Sequence, residues 1–309
     1  MKWVVYAAYR ADGNQSPHVV DQLIDYRRAG WKTLLVDASP VVSAERQRDW
    51  SESATAWMQR PNIGYDFASY RDGIEHLRSA CRIDIDAASL IMTNDSCFGP
   101  FIPMADIVVR LEERRSGDLV VHGITDSYEF HHHLQSYWVY SRPPAVSLVR
   151  RFLLDLPPIH GVQEAIHRGE LGLSRYLAEN GCALQALCPT REIIPRFALL
   201  HSRPLSILEF GLRRRLDAPR YNRETDRACL RYLRGKPDPF ANVNISIGLG
   251  AEMLRAKLSP LLKRRLLAEN PYDAKSIPSD LDVDSLTNLD VARLLRVGSE
   301  RQSACRRFW

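Results

Sequence analysis

The chain contains no run of about 18 apolar residues, so hydropathy offers no membrane-spanning helix. Its first apolar stretch, in MKWVVYAAYRADG, is short and is broken by Arg10 and Asp12, so a secretory leader is not expected. None of the six cysteines (Cys81, Cys97, Cys182, Cys188, Cys229, Cys305) forms a C-x-x-C pair or a zinc-like grouping, and they read as the reduced thiols of a cytoplasmic protein. Internal repeats and low-complexity tracts are missing, which argues against solenoids and disordered arrays. What remains is ordinary globular composition, 45% hydrophobic and 26% charged over 309 residues. That length accommodates one α/β core with an appendage.

The net charge of +5 is unevenly placed. From His201 onward there are 21 Lys and Arg against 13 Asp and Glu, an excess of +8, while the first 200 residues carry −3. Arg213–Arg215 and Lys263–Arg265 are the densest basic points. A basic third of this kind suits nucleic acid, an anionic membrane surface or a phosphate-bearing ligand, or simply a solvated helix face. Nucleic acid is the poorest fit, because the arginines are not interleaved with aromatic stacking residues and no nucleic-acid-binding module is legible.

The pattern along the chain is one of alternating strands and helices. Trp3–Tyr9 is a buried strand ending in the turn Ala11-Asp12-Gly13, and HVVDQLIDYRRAG is an amphipathic helix stopped by Gly30. WKTLLVDAS is a second buried strand, so the opening is a βαβ unit with a parallel sheet. Ala44–Trp57 reads as polar helix, Phe67–Cys81 as helix, and ASLIMT, LVVHGITDS and SYWVYS as further strands. LGLSRYLAENG, opened by Arg168-Gly169-Glu170, has the period of an amphipathic helix. Beyond about Pro204 strand signals fade into basic, Pro-interrupted helical stretches. The expected division is therefore a ligand-binding domain over 1–205 and a helical appendage over 206–309.

In an open α/β sheet, ligands bind beyond the carboxyl ends of the strands. Three polar strand ends mark that edge: Asp37, Asn94-Asp95-Ser96 and Thr125-Asp126-Ser127. A carboxylate there can face a ribose or a diphosphate, although Asp, Asn and Ser also end strands simply as turn formers. Asn62-Ile63-Gly64-Tyr65-Asp66 leads into a helix. Gly64 can admit a close backbone approach and the helix start can meet anionic oxygens, while Asn62 and Asp66 can equally serve as caps. Consecutive histidines His131–His133 alternate faces on an extended segment, which disfavours a tri-histidine metal site. His133 and Gln135 share one face and are candidates for contact with a sugar or acceptor, or for core packing.

Three linked segments, RPNIGYDFASYRDGI (Arg60–Ile74), LIMTNDSCFGPF (Leu90–Phe101) and GITDS followed by HLQSYWVYS (Gly123–Ser127 and His133–Ser141), closely resemble the rhamnan synthesis protein F family of bacterial surface polysaccharide assembly. The resemblance runs over roughly Lys2–Leu187 and returns weakly near Leu261–Pro271. It implies a GT-A-like nucleotide-sugar fold, a cytoplasmic protein that can sit peripherally on the inner face of the membrane, and an inverting glycosyltransferase. Such an enzyme moves a sugar, rhamnose from dTDP-rhamnose being one candidate, from an NDP-sugar to a glycan or lipid-linked glycan acceptor. It implies Asn62, Gly64, Asp66, Asn94, Asp95 and Ser96 on the donor side, where the strand-end reading adds Asp37, with Asp95 the one carboxylate placed to meet Mg²⁺ or Mn²⁺ where the fold usually offers two. Asp126, His133 and Gln135 fall on the acceptor side. Glu170, at the opening of its helix, resembles the carboxylate base of inverting enzymes, and a plain N-terminal charge favoured by the helix dipole is the other reading. The rival function is a polysaccharide-assembly module that keeps the fold without turnover.

Overall fold

The computed structural model describes residues 1–13, 16–114, 117–194 and 244–264. Two compact units divide them, the first made of Met1–Asp95, Ile102–Asp126 and His132–Leu187, the second of Ser96–Phe101, Ser127–His131 and the chain from Cys188 onward.

The first unit is built on one mixed sheet. Its strands are β1 (Lys2–Ala8), β2 (Lys32–Asp37), β3 (Ala56–Gln59), β4 (Ser89–Asn94), β6 (Val120–Ser127), β7 (His133–Leu134), β8 (Trp138–Ser141) and β9 (Ala183–Cys188). The order is β3-β2-β1-β4-β8-β6-β7, with β9 also on β6. β1 pairs in parallel with β2 and β4, and β2 with β3. β8 runs antiparallel to both β4 and β6. Two reversals restore the direction, so β6 points the same way as β4, and the strand ends at Asp37, Asn94 and Asp126 share one edge of the sheet.

Both faces of this sheet are covered, which is why its central strands are apolar throughout rather than alternating. Trp3, Val5 and Ala7 of β1 join a core with residues of α3 (Tyr65–Ser79), α5 (Ala145–Asp155) and α7 (Leu171–Glu179). The alternate residue Tyr6 is also fully buried and donates to Gln22 of α1 (Pro17–Arg28) at 3.0 Å, on the opposite face. α4 (Met104–Glu113) packs against α1, and the Met104 N–H donates to Asp25 Oδ2 at 3.1 Å. The α3 layer lies close: a Cβ added at Gly73 would stand 2.6 Å from Val5 and 2.9 Å from Val36.

The sequence expectation of helix over Ala44–Trp57 needs correcting. α2 (Ala44–Ser53) stops short, and Ala56–Gln59 is the edge strand β3. A four-residue, half-buried strand lacks the apolar run that marks the central ones. Its identity depends on pairing with β2, helped by a reciprocal pair of 3.0 Å bonds in which the Thr33 and Thr55 amides each donate to the other's hydroxyl.

In the second unit, β5 (Cys97–Phe98) pairs antiparallel with β10 (Leu262–Lys263). Ile245 of α8 (Ile245–Gly248), and Met253 and Leu254 of α9 (Gly250–Arg255), are buried there with Leu261 and Leu262. Gly99 has φ +123° and lies against Pro260, whose carbonyl oxygen would be 2.5 Å from an added Cβ. Residues 96–101 thus belong with residues 260–264, far along the chain. The boundary expected at 205 and the Arg213–Arg215 cluster lie outside the described residues. No helix among the described residues is long and apolar enough to cross a membrane.

Candidate active site

A cleft of about 540 Å³ opens where β1, β2 and β3 end, lined by Tyr9, Ser39, Pro40, Gln59, Arg60 and Asn62 among others. Its wall is tied strand to strand. Ser39 Oγ accepts the Arg10 amide at 2.9 Å, and Gln59 Nε2 donates to the Ser39 carbonyl at 3.0 Å.

Asp37 supports this wall from beneath rather than facing the opening. It is fully buried, with Oδ2 3.1 Å from Arg46 Nε and accepting from Trp50 Nε1 at 2.9 Å, while Oδ1 accepts the Ser39 amide at 2.8 Å. The Arg46 guanidinium lies 5.0 Å from the Trp50 ring centroid. Burial draws the Arg46 pKa down and the Asp37 charge opposes that fall. A buried charge needs such a partner to remain charged.

Asp95 is only half-buried and stands beside the cleft, accepting the amide of Tyr9, a cleft residue, on Oδ2 at 3.3 Å. Its own amide donates to the Ala7 carbonyl at 3.2 Å, and His18 Nε2 lies 3.2 Å from its carbonyl oxygen. Ser96 belongs to the second unit, where Lys263 Nζ donates to its hydroxyl at 3.3 Å.

Asn94 and Asp66, expected on the donor side, converge through α3. Asn94 Nδ2 donates to Asp66 Oδ2 at 2.7 Å, joining two motifs that stand 28 residues apart. Asp66 is therefore engaged across the sheet edge, and α3 has no side-chain cap. The turn before it is forced. Gly64 adopts φ +87° with Ala68 in the way of any Cβ, and Tyr65 follows at φ +56°, an uncommon value for a bulky residue. Arg60 fastens this loop, donating from Nε to Asp72 Oδ2 and from Nη2 to the Ile63 carbonyl, each at 2.7 Å. Asn62 remains exposed on the cleft rim.

One turn further, the buried Tyr70 hydroxyl donates to the Ser136 carbonyl at 3.3 Å. Burial first, then the nearby Asp66 charge, push its pKa well above the ordinary tyrosine value. Ser136 in turn donates from its amide (2.6 Å) and its hydroxyl (2.7 Å) to Glu170 Oε2. The other oxygen of Glu170 is 3.7 Å from Nε2 of the buried His133.

Glu170 does not open a helix. A π turn, Ala165–Glu170, joins α6 (Val162–Glu164) to α7, so the carboxylate sits inside a continuous helical rod and the helix-dipole reading falls away. The rod is held against α3 at Gly169, where an added Cβ would lie 2.5 Å from the Phe67 ring. Single π turns recur at functional sites because they re-aim side chains.

Gln135 is buried, and the Thr125 hydroxyl donates to its Oε1 at 2.7 Å while its amide donates to the Thr125 carbonyl at 3.0 Å. Asp126 is buried beside His132, whose Nε2 lies 3.1 Å from Asp126 Oδ2. His132, in the bend before β7, lies against Asp126, and His133, the first residue of β7, lies against Glu170. Tyr9, Ser39, Gln59, Arg60, Tyr70, His132 and Ser136 were not singled out from the sequence. Tyr9 directly follows β1 and Ser39 stands two residues past Asp37, close to the strand ends that the sequence marks, whereas Arg60 follows a strand read as helix and nothing local distinguishes Tyr70 or Ser136.

Among the described residues, no three His, Cys, Asp or Glu side chains gather into a metal-holding group.

The sequence profile of rhamnan synthesis protein F matches residues 34–205, more than half of the chain. The chain belongs to the rhamnan synthesis protein F family. Among curated proteins, an uncharacterized protein, y4gN, from Sinorhizobium fredii is 30% identical over 172 residues, 54% of this chain and 44% of that protein. The chain thus spans less than half the length of that relative. Among solved structures, the crystal structure of a 4-diphosphocytidyl-2C-methyl-D-erythritol synthase aligns with a TM-score of 0.36 at 14% identity, covering 60% of this chain and 88% of that one.

Proposed function

We propose that this protein transfers a sugar, with inversion, from a nucleoside-diphosphate sugar to a growing surface polysaccharide or O-antigen acceptor. The observation that carries the reading is the polar edge of the sheet. A cleft at the ends of β1–β3 stands beside the half-buried carboxylate Asp95, Asn94 bonds Asp66 at the start of α3, and Tyr70, one turn on, bonds Ser136, which bonds Glu170. The cleft, with Asn62 on its rim, takes the nucleoside. Asp95 orients the diphosphate, directly or through Mg²⁺ or Mn²⁺ that the donor's own phosphate oxygens help to hold. Asp66 and Asn94 keep that edge in register, with Gly64 setting the turn. Asp37 supports the wall, and Ser96 is next to Asp95 in the same motif.

On the acceptor side stand Glu170, Asp126, His133 and Gln135. Glu170 is the carboxylate that the sequence marks as proton acceptor, and Glu170→Gln tests that role. A general base contributes about 10²–10⁴-fold, so turnover falls by that factor while donor affinity holds if the role is correct. Equal losses in rate and affinity assign Glu170 to binding instead.

The decisive experiment is a thermal-shift and calorimetric screen of nucleoside diphosphates and NDP-sugars, dTDP-rhamnose among them, with and without Mg²⁺ or Mn²⁺. A ligand at 100 times its Kd raises stability by about 2.7 kcal/mol. No response to any member refutes the reading, and binding without any release of nucleoside diphosphate favours the non-catalytic assembly module. The basic third of the chain is proposed to dock on anionic lipid. Salt-sensitive co-sedimentation with anionic vesicles that is lost on changing Arg213–Arg215 to Ser tests it.

A further inference from the structure

Residues 135–137 link β7 to β8, and three different elements fix them in succession. The Gln135 amide donates to the Thr125 carbonyl of β6 at 3.0 Å. The Ser136 carbonyl accepts the Tyr70 hydroxyl of α3 at 3.3 Å. The Tyr137 carbonyl accepts the Thr93 hydroxyl at 2.9 Å and the Asn94 amide at 3.3 Å, both from the end of β4. The amide and hydroxyl of Ser136 both converge on Glu170 Oε2, at 2.6 and 2.7 Å. Glu170 is thereby tied to the end of the strand that leads into Asp95, although it lies 34 residues beyond Ser136 in the chain. The two oxygens of this carboxylate are held differently. Two charge-assisted donors on Oε2 are short and strong. Oε1 lies 3.7 Å from His133 Nε2, too far for a hydrogen bond, and the side chain is 18% exposed.

We propose that Ser136 is a positioning residue, which occupies Oε2 of Glu170 and leaves Oε1 as the oxygen that takes the proton of the attacking hydroxyl. This rests on the glycosyl-transfer reading above, with Glu170 as the proton acceptor. The acceptor O–H bond breaks and its proton passes to Oε1 as its oxygen bonds to the anomeric carbon. The bond from that carbon to the phosphate oxygen breaks, and its electron pair leaves on the nucleoside diphosphate. Ser136 neither gains nor loses a proton. Its two donors fix the carboxylate in one orientation before the acceptor arrives, and the bonds from β4, β6 and α3 keep Ser136 itself in place. Precision of this kind counts, because a displacement of about 1 Å at a reacting group can cost about 100-fold in rate.

Two measurements decide it. The first, NMR of the full chain with ¹⁵N-labelled serine, needs no substrate. The Ser136 amide proton is expected far downfield, as a short bond to a carboxylate requires, and Glu170→Gln is expected to move it upfield. An ordinary shift that this change leaves in place overturns the proposal. The second is the rate of nucleoside diphosphate release from the NDP-sugar that binds the wild type. Ser136→Ala keeps the amide donor and loses the hydroxyl, so kcat is expected to fall about 10-fold or more at unchanged donor affinity. Ser136→Thr restores a hydroxyl and is expected to recover most of that loss. In a chain that already carries Glu170→Gln, Ser136→Ala is expected to cost less than about 2-fold, because Ser136 acts only through the carboxylate. Equal losses in the two backgrounds, or a loss confined to donor affinity, overturn the positioning role. Absence of binding by every NDP-sugar to the wild type strikes the glycosyl-transfer reading itself, while the amide shift still decides whether Ser136 holds Glu170.

Discussion

The ends of β2 and β4 have the same local signature, an apolar strand running into an aspartate, and opposite fates. At the end of β2, Asp37 is sealed under α2, where Arg46, Trp50 and the Ser39 amide take its oxygens. At the end of β4, Asp95 stays half-buried beside the cleft, where its Oδ2 accepts the Tyr9 backbone amide. The difference lies in the element that succeeds each strand. A helix carrying Arg46 and Trp50 folds back over the first carboxylate, and no described helix carries such a pair over the second. A strand-end aspartate is thus a candidate until the next element is known, and the same sequence signal yields a wall support in one place and a half-buried carboxylate beside the cleft in the other.

The comparison is broken most forcefully at Asp37. Its replacement by Ala leaves Arg46 buried without its charge partner, which typically costs about 3–5 kcal/mol. Denaturant unfolding is expected to show a loss of that order, and an unchanged midpoint would mean that Asp37 is not the support described. The double change Asp37→Leu with Arg46→Met sharpens the point, since removing both charges recovers most of the stability.

Asp95→Ala should behave in the reverse way. Unfolding free energy stays within about 1 kcal/mol of wild type, as the partial exposure of the carboxylate allows. Transfer falls by about 10²–10³-fold, the usual loss when one electrostatic contact to the reacting charge is removed. A large stability loss with transfer preserved would place Asp95 in the same class as Asp37.

The acceptor side can be reached without touching a polar group. Gly169→Ala drives a methyl into the Phe67 ring, an overpacking of about 1–3 kcal/mol. It also displaces the π turn that aims Glu170. Shortening the ring with Phe67→Leu in the same chain should return part of the stability, and failure to do so would show that the contact is not the source of the loss. The smallest effect is expected of Asn94→Ala, which removes the 2.7 Å bond to Asp66 and costs about 1 kcal/mol. Thermal unfolding with Asp66→Ala and the double variant measures whether the two losses are coupled, and strict additivity would separate the motifs that α3 joins.

Much was legible in the sequence because it was written in short-range patterns. The apolar runs of β1, β2 and β4, the βαβ opening and the helix leading away from Gly64 depend on periodicity and on backbone conformations that one or two residues control. Family kinship was legible for the same reason, since three local motifs in order carried it. Tertiary structure alone decided that Asp37 is covered and Asp95 is not, that Ala56–Gln59 is a strand, that Glu170 lies within a π turn, and that Asp66 meets Asn94 while Ser136 meets Glu170. Residues 96–101 likewise belong with residues 260–264 only because β5 pairs with β10. These facts rest on contacts between residues remote in sequence, and the free energy of such a contact is set by the packing and burial of both partners. Neither partner's own segment contains that information.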